Sequence, residues 1–283
     1  MKFTKFTSAA LTAGTILSIL APTATFAATA EHDANANGGT ELPMDDKTTV
    51  GISFGDNTNN GNTGYLRLQM VPHVLDFGNH TEFLSQYPTF DATGHNLSIN
   101  SNDRHASYDN ADTNKTAILN TEDAKLKDVK GKAWATVVDK QETRENAVAP
   151  NDAENGTWTL KVKSDDVLKA DNGAEIPNAN LMLKNTAYDR TGEVFTLTNE
   201  KQDEGYVGGG TKDVSDIEKN VSLALDGSAS ADVAEAKAQE GQGANVFGWD
   251  RSDINLTLPK NAKVNNAIYT AHLTWTLATG VTA

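Results

Sequence analysis

Cysteine is absent from this 283-residue chain. No disulfide can brace it and no thiolate can act as nucleophile or zinc ligand, so the fold must rest on burial and hydrogen bonding. Positive charge is also scarce: 24 Lys and Arg stand against 38 Asp and Glu, a formal net charge of −14. Neutralising phosphates takes clustered cations, so the composition excludes nucleic acid as the expected partner. No apolar run reaches the roughly 20 residues of a bilayer-spanning helix. The longest, from Ala9 to Ala21, is interrupted by Thr12, Thr15 and Ser18. Catalytic signatures are missing too. There is no Gly-x-Ser-x-Gly elbow, and Gly208-Gly209-Gly210 lacks the Gly-Lys-Ser/Thr ending of a phosphate loop and reads as a turn. His32, His73, His80, His95, His105 and His272 are scattered without a His-Glu-x-x-His spacing. No cofactor and no metal is expected.

What is present begins with an export signal. Lys2 and Lys5 precede the apolar stretch, and small residues at Thr25 and Ala27, or at Ala28 and Ala30, offer cleavage sites. This predicts a signal peptide over 1–30, cleaved after Ala27 or Ala30, and a secreted product with no membrane span left after cleavage. Residues 1–30 hold two Lys and no acid, so their removal leaves 22 basic against 38 acidic residues, a net −16. From 31 to 47 the chain is acidic, rich in Asn and Gly and nearly without large apolar residues, a composition that predicts a disordered linker. The remainder, 48–283, is within the size of a single all-β core.

Alternation dominates that remainder. Val50, Ile52 and Phe54 share one parity, as do Leu66, Leu68 and Met70, then Leu75 and Phe77, then Trp134, Thr136 and Val138. Further runs centre on Trp158, Leu160 and Val162, on Leu181 and Leu183, on Phe195 and Leu197, on Val221, Leu223 and Leu225, and on Ile254, Leu256 and Leu258. In the last run Tyr269, Ala271, Leu273, Trp275 and Leu277 occupy one parity and Thr270, His272, Thr274 and Thr276 the other. Period two puts the sets on opposite faces of a strand and predicts half-buried antiparallel sheet. The expected fold is an all-β, antiparallel β-sandwich or barrel-like domain with long loops and at most a short helix. The best helical candidate is SADVAEAKAQEGQG, from Ser230 to Gly243. The longest loops, Asp56 to Gly64, Gly94 to Asn114 and Gln141 to Gly156, are where function often sits.

Two Trp-Thr-Leu triplets, Trp158-Thr159-Leu160 and Trp275-Thr276-Leu277, lie in such alternations. LRLQMVPHVLDFGNH (Leu66 to His80), EIPNANLML, NVFGWD and the tail INLTLPKNAKVNNAIYTAHLTWTLATGVTA follow one another in the order of the same family pattern, with Arg144 in its arginine position. In that pattern the first is a strand and NVFGWD a turn. The chain thus resembles a WxL domain-containing cell-surface protein of Gram-positive bacteria, over roughly Thr48 to Ala283. The resemblance implies non-covalent attachment to peptidoglycan, partner surface proteins that include WxL-interacting ones, and in some members adhesion to host matrix protein. The sequence stops at Ala283 without a sortase-type motif or hydrophobic tail, so wall attachment is expected to be non-covalent.

Two site readings follow. Trp158 and Trp275 either stack on wall sugars, with Leu160 and Leu277 completing an apolar platform, or hold the core. The all-apolar parity on which they sit favours the core. Asp109, Asn110, Asp112 and Asn114 are an open oxygen-rich calcium candidate, whereas Asp56 to Arg67 fails as a calcium loop because Arg67 stands where a bidentate Glu belongs. A binding protein, not an enzyme, is the expectation. A host-matrix adhesin is the alternative, and a secreted polysaccharide-cleaving hydrolase a further one, since a pair of carboxylates would suffice for the latter.

Overall fold

The computed structural model describes residues 44–47, 66–80, 83–97, 114–141 and 156–279. The expected signal peptide, most of the linker, the strand at Val50–Phe54 and nearly all of the three long loops lie outside these residues. Along the chain run β1 (Met44–Lys47), β2 (Leu66–Met70), β3 (Thr89–Asp91), β4 (Ala133–Asp139), β5 (Trp158–Ser164), β6 (Leu168–Ala170) and β7 (Glu175–Ile176). Then come β8 (Ala179–Lys184), β9 (Ala187–Thr191), α1 (Val194–Thr198), β10 (Asp216–Ile217), β11 (Asn220–Leu225) and β12 (Ser230–Ala236). The chain closes with β13 (Gly243–Trp249), β14 (Ile254–Thr257), β15 (Tyr269–Thr270) and β16 (Leu273–Thr279).

These strands form an all-β, antiparallel sandwich. One sheet has the order β1-β16-β5-β12-β10, and it faces two four-stranded sheets, β2-β4-β13-β9 and β11-β8-β14-β3. A small sheet, β15-β6-β7, flanks them. Leu160, Val162, Trp275 and Leu277 of the first sheet share one core with Leu66, Leu68, Val137, Phe247 and Trp249 of the second and with Leu181, Leu223 and Ile254 of the third. The chain passes directly between the third and second sheets twice, from β8 to β9 and from β13 to β14, and both sheets contribute to the same core as the first.

The β2-β4-β13-β9 sheet is covered on both faces. All seven residues of β13 are buried. Phe247 and Trp249 point into the main core, while Val246 packs with Leu119, Leu126 and Val129, and Ala244 with Val138 and Val194 of α1. Small residues permit the close cover: a side chain at Gly248 would meet Lys132 and Val129 at 3.2 Å.

The structure departs from several sequence expectations, each for a packing reason. Ser230–Ala236 is a strand, not a helix, because Ala234 and Ala236 pair opposite Leu160 and Trp158, where only small side chains leave room for the indole. Phe195 and Leu197 lie on the short helix α1, which ends at Asn199 in the left-handed region (φ 51°). NVFGWD forms most of β13 and is not a turn. Val71 to His80 is irregular: Asp76 accepts from the Gly78 and Lys115 amides at 2.9 Å each, and Gly78 holds φ +87°. The run from Tyr269 to Leu277 breaks into β15 and β16, because Asp166 captures both the His272 amide (2.7 Å) and its Nδ1 (2.8 Å). Met44–Lys47, within the stretch expected to be linker, pairs with β16.

Three backbones meet without side chains where Gly192, Gly208 and Gly243 approach one another. Gly208 donates to the Gly192 carbonyl at 2.8 Å, and Gly243 has φ +116° with the Thr191 carbonyl 2.5 Å from where a Cβ would stand. Gly243→Ala is expected to lose roughly 2–4 kcal/mol of stability. Gly209→Ala, with open space around it, should change little. Urea unfolding of the two variants checks the contrast.

Candidate functional site

The two Trp-Thr-Leu triplets are antiparallel neighbours in the middle of the first sheet. Leu160 pairs opposite Leu277, Val162 opposite Trp275 and Trp158 opposite Thr279. The leucines therefore stand side by side with one tryptophan at each end of the pair, a local two-fold arrangement. All four side chains, Trp158, Leu160, Trp275 and Leu277, are fully buried (0% exposed).

Both tryptophans reach across the sandwich to aromatic rings of β13. Trp158 meets Phe247 edge-on, centroids 6.3 Å apart, and Phe247 lies 5.4 Å from Tyr188 of β9. Trp275 lies 5.9 Å from Trp249, whose Nε1 donates to Thr186 Oγ1 at 3.0 Å. Such ring pairs add to the large apolar area each indole buries. The Trp158 indole N–H is satisfied inside the core by Asp139 Oδ2 at 3.1 Å, and Asp139 Oδ1 accepts the Gln141 amide at 3.0 Å.

Period two sends the middle residue of each triplet the other way. Thr159, Lys161 and Lys163 of β5 and Thr274 and Thr276 of β16 form the outer row, with Lys161 opposite Thr276 and Lys163 opposite Thr274. Thr159 is buried, Thr276 and Lys161 are half-buried and Lys163 is exposed, so the row opens toward the Lys163 end. Lys161 Nζ sits 2.9 Å from Asp232 and Thr274 Oγ1 donates to Asp165 at 2.8 Å. This face presents hydroxyls, ammonium groups and carboxylates on a sheet, a surface able to hydrogen-bond a polymer laid across it.

A buried ionic cluster stands at the other side of the β2-β4 pair. Asp203, fully buried, accepts from both terminal guanidinium nitrogens of Arg67, from Lys140 Nζ at 2.9 Å and from Thr198 Oγ1 at 2.5 Å. Arg67 Nε also donates to Gln69 at 2.6 Å, and Gln69 donates to Glu200 at 2.7 Å. Burial pushes the Asp203 carboxyl up, but the Arg67 charge and the bonds from Arg67, Thr198 and Lys140 outweigh it and hold it below the ordinary carboxylate value. Burial pulls Lys140 below the ordinary ammonium value, and the Arg67 charge adds to this, while the bond and charge of Asp203 and the charge of Glu200 offset it only in part. The cluster ties α1 and the turn after it to β2 and β4. Sequence reading passed over it, since an Arg between Leu66 and Leu68 has the ordinary look of an outward strand residue.

The calcium candidates are not brought together in what is described: Asp56, Asp109, Asn110 and Asp112 lie outside the described residues. Asn114 Nδ2 donates to the Ala92 carbonyl at 2.8 Å, and its Oδ1 accepts the Thr116 amide. Among the described residues no three His, Asp or Glu side chains are grouped to hold a metal ion. No helix among them is long and apolar enough to cross a membrane.

A protein-family model described as WxL domain, surface cell wall-binding, matches residues 23–280, nearly the whole chain and both triplets. No curated protein and no solved structure gives a significant match.

Trp158→Ala is expected to cost roughly 3–5 kcal/mol in urea unfolding, with Trp158→Phe losing less because it keeps most of the bulk. Asp203→Asn strips the cluster of its central anion and should cost about 3–5 kcal/mol at neutral pH. The Asp203 pKa is depressed in the fold, so its contribution is complete above the unfolded value of 3.8 and is lost as the pH falls below that toward the folded value. Unfolding curves between pH 7 and pH 2 should therefore converge for the wild type and Asp203→Asn at the acid end.

Proposed function

Because the chain belongs to the WxL domain family of cell wall-binding surface proteins, we propose that it is exported by residues 1–30 and held non-covalently on the peptidoglycan of a Gram-positive wall, where it acts with partner surface proteins. In this reading the tryptophans and leucines of the triplets do not touch the wall. They fix the two strands whose outer residues, with the surrounding loops, make the contact.

The observation that carries the reading is the register of the two triplets. It spends the Trp and Leu side chains on the core and leaves Thr276, Thr274 and Lys163 on the outside of the same strands. Hydroxyl and ammonium donors suit the acetamido, hydroxyl and carboxylate acceptors of peptidoglycan. The net charge of −16 after removal of 1–30 works against approach to anionic wall polymers, so protons and divalent cations should favour binding.

Sedimentation with purified peptidoglycan, teichoic acid retained or stripped, tests this. Binding is expected under both conditions and should strengthen as pH falls from 7 to 4 or as calcium rises. Lys163→Glu should weaken retention while leaving the unfolding curve unchanged. No binding in either preparation at any pH would overturn the proposal.

A further inference from the structure

β1 is an unusual strand. It has four residues, MDDK, and comes from a polar segment with little to bury, yet it pairs with the other end of the chain: Met44 opposite Leu277, Asp45 opposite Thr276, Asp46 opposite Trp275 and Lys47 opposite Thr274. It lies at the edge of the first sheet, next to the Trp275 strand and close to β2 of the second sheet. Without it, β16 would present an open row of amides and carbonyls.

Nothing in this pairing requires that both strands belong to one molecule. Residues 48–65 separate β1 from β2, and 18 residues extend to about 60 Å. Among the described strands the next in sequence, β2, belongs to a different sheet, so β1 and β2 do not pair as a hairpin. A second copy offers the same segment to the same edge, with the same backbone hydrogen bonds. Only the effective concentration of the chain's own strand separates the two states, and that falls with the number of residues between the paired segments.

We infer that the β16 edge is a strand-acceptor site, filled by Met44–Lys47 of the same chain in the isolated protein and by Met44–Lys47 of a second copy when chains are crowded together. Exchange links neighbouring copies through β-strand addition without any new surface. The inference is independent of what the protein binds in the wall.

The absence of native cysteine makes a clean test. Chains are expressed in full, recovered after export and oxidised. Asp45→Cys/Thr276→Cys in one chain should give an intramolecular disulfide at low concentration. An equimolar mixture of Asp45→Cys chains and Thr276→Cys chains should give a mixed disulfide dimer, identified by mass, whose yield rises at least several-fold from 1 to 200 μM. If the double variant closes within one chain while the mixture gives no mixed dimer at any concentration, exchange is overturned. If the double variant fails to close at all, the register itself is wrong and the inference falls with it.

Discussion

Leu160 opposite Leu277 is the contact on which the arrangement of this protein turns. In an antiparallel pair a slip of one residue exchanges inner for outer faces, so this register turns both tryptophans toward the core and both threonines of the triplets to the opposite face of the sheet. Once inside, each indole needs a partner across the sandwich. Phe247 and Trp249, two apart on β13, supply them. The spacing of aromatic residues on β13 is matched to the spacing of tryptophans created by pairing β5 with β16. The alanines of β12 beside Trp158 and Leu160 belong to the same constraint, since a larger residue there would compete for the volume of the indole.

The second organising feature is buried charge. An acidic chain that hides Arg67, Lys140 and Asp203 together is trading solvation for a fixed docking of α1 against β2 and β4. Replacing such a set with apolar residues is often no less stable; what its bonds do here is join Thr198 of α1 and Asp203 of the turn after it to Arg67 of β2 and to Lys140 at the end of β4. That cover makes the β2-β4-β13-β9 sheet a middle layer. Its two faces explain why β13 is apolar or small at nearly every position and does not alternate.

Legibility followed from how local each cause is. Alternation in β8 and β11 was readable because each strand has one wet face, and in β2, β5 and β14 because the residues between the core positions are polar even where, as at Arg67, Thr159 and Asn255, they are buried. It failed at Ser230–Ala236, where alanines with high helix propensity are drawn into a sheet by Trp158 and Leu160, both about seventy residues away in sequence. It failed again at His272, where Asp166 captures the backbone and divides one apparent strand into two. Neither cause leaves a mark in the segment it affects. The Arg67 cluster was hidden for the same reason: Asp203 lies 136 residues from Arg67 and nothing near either residue points to the other.

The sequence by itself determined the class of protein: no disulfide, many short alternating strands, an acidic balance, and two Trp-Thr-Leu triplets in an order that a wall-binding family shares. Tertiary structure decided what the triplets do. Only the pairing of β5 with β16 sets the leucines side by side, turns the tryptophans onto β13 and leaves Thr276 and Lys163 facing outward. The physical reason is that a strand's alternation names two faces without saying which is wet, and that choice belongs to the neighbour across the sheet and the layer beneath it.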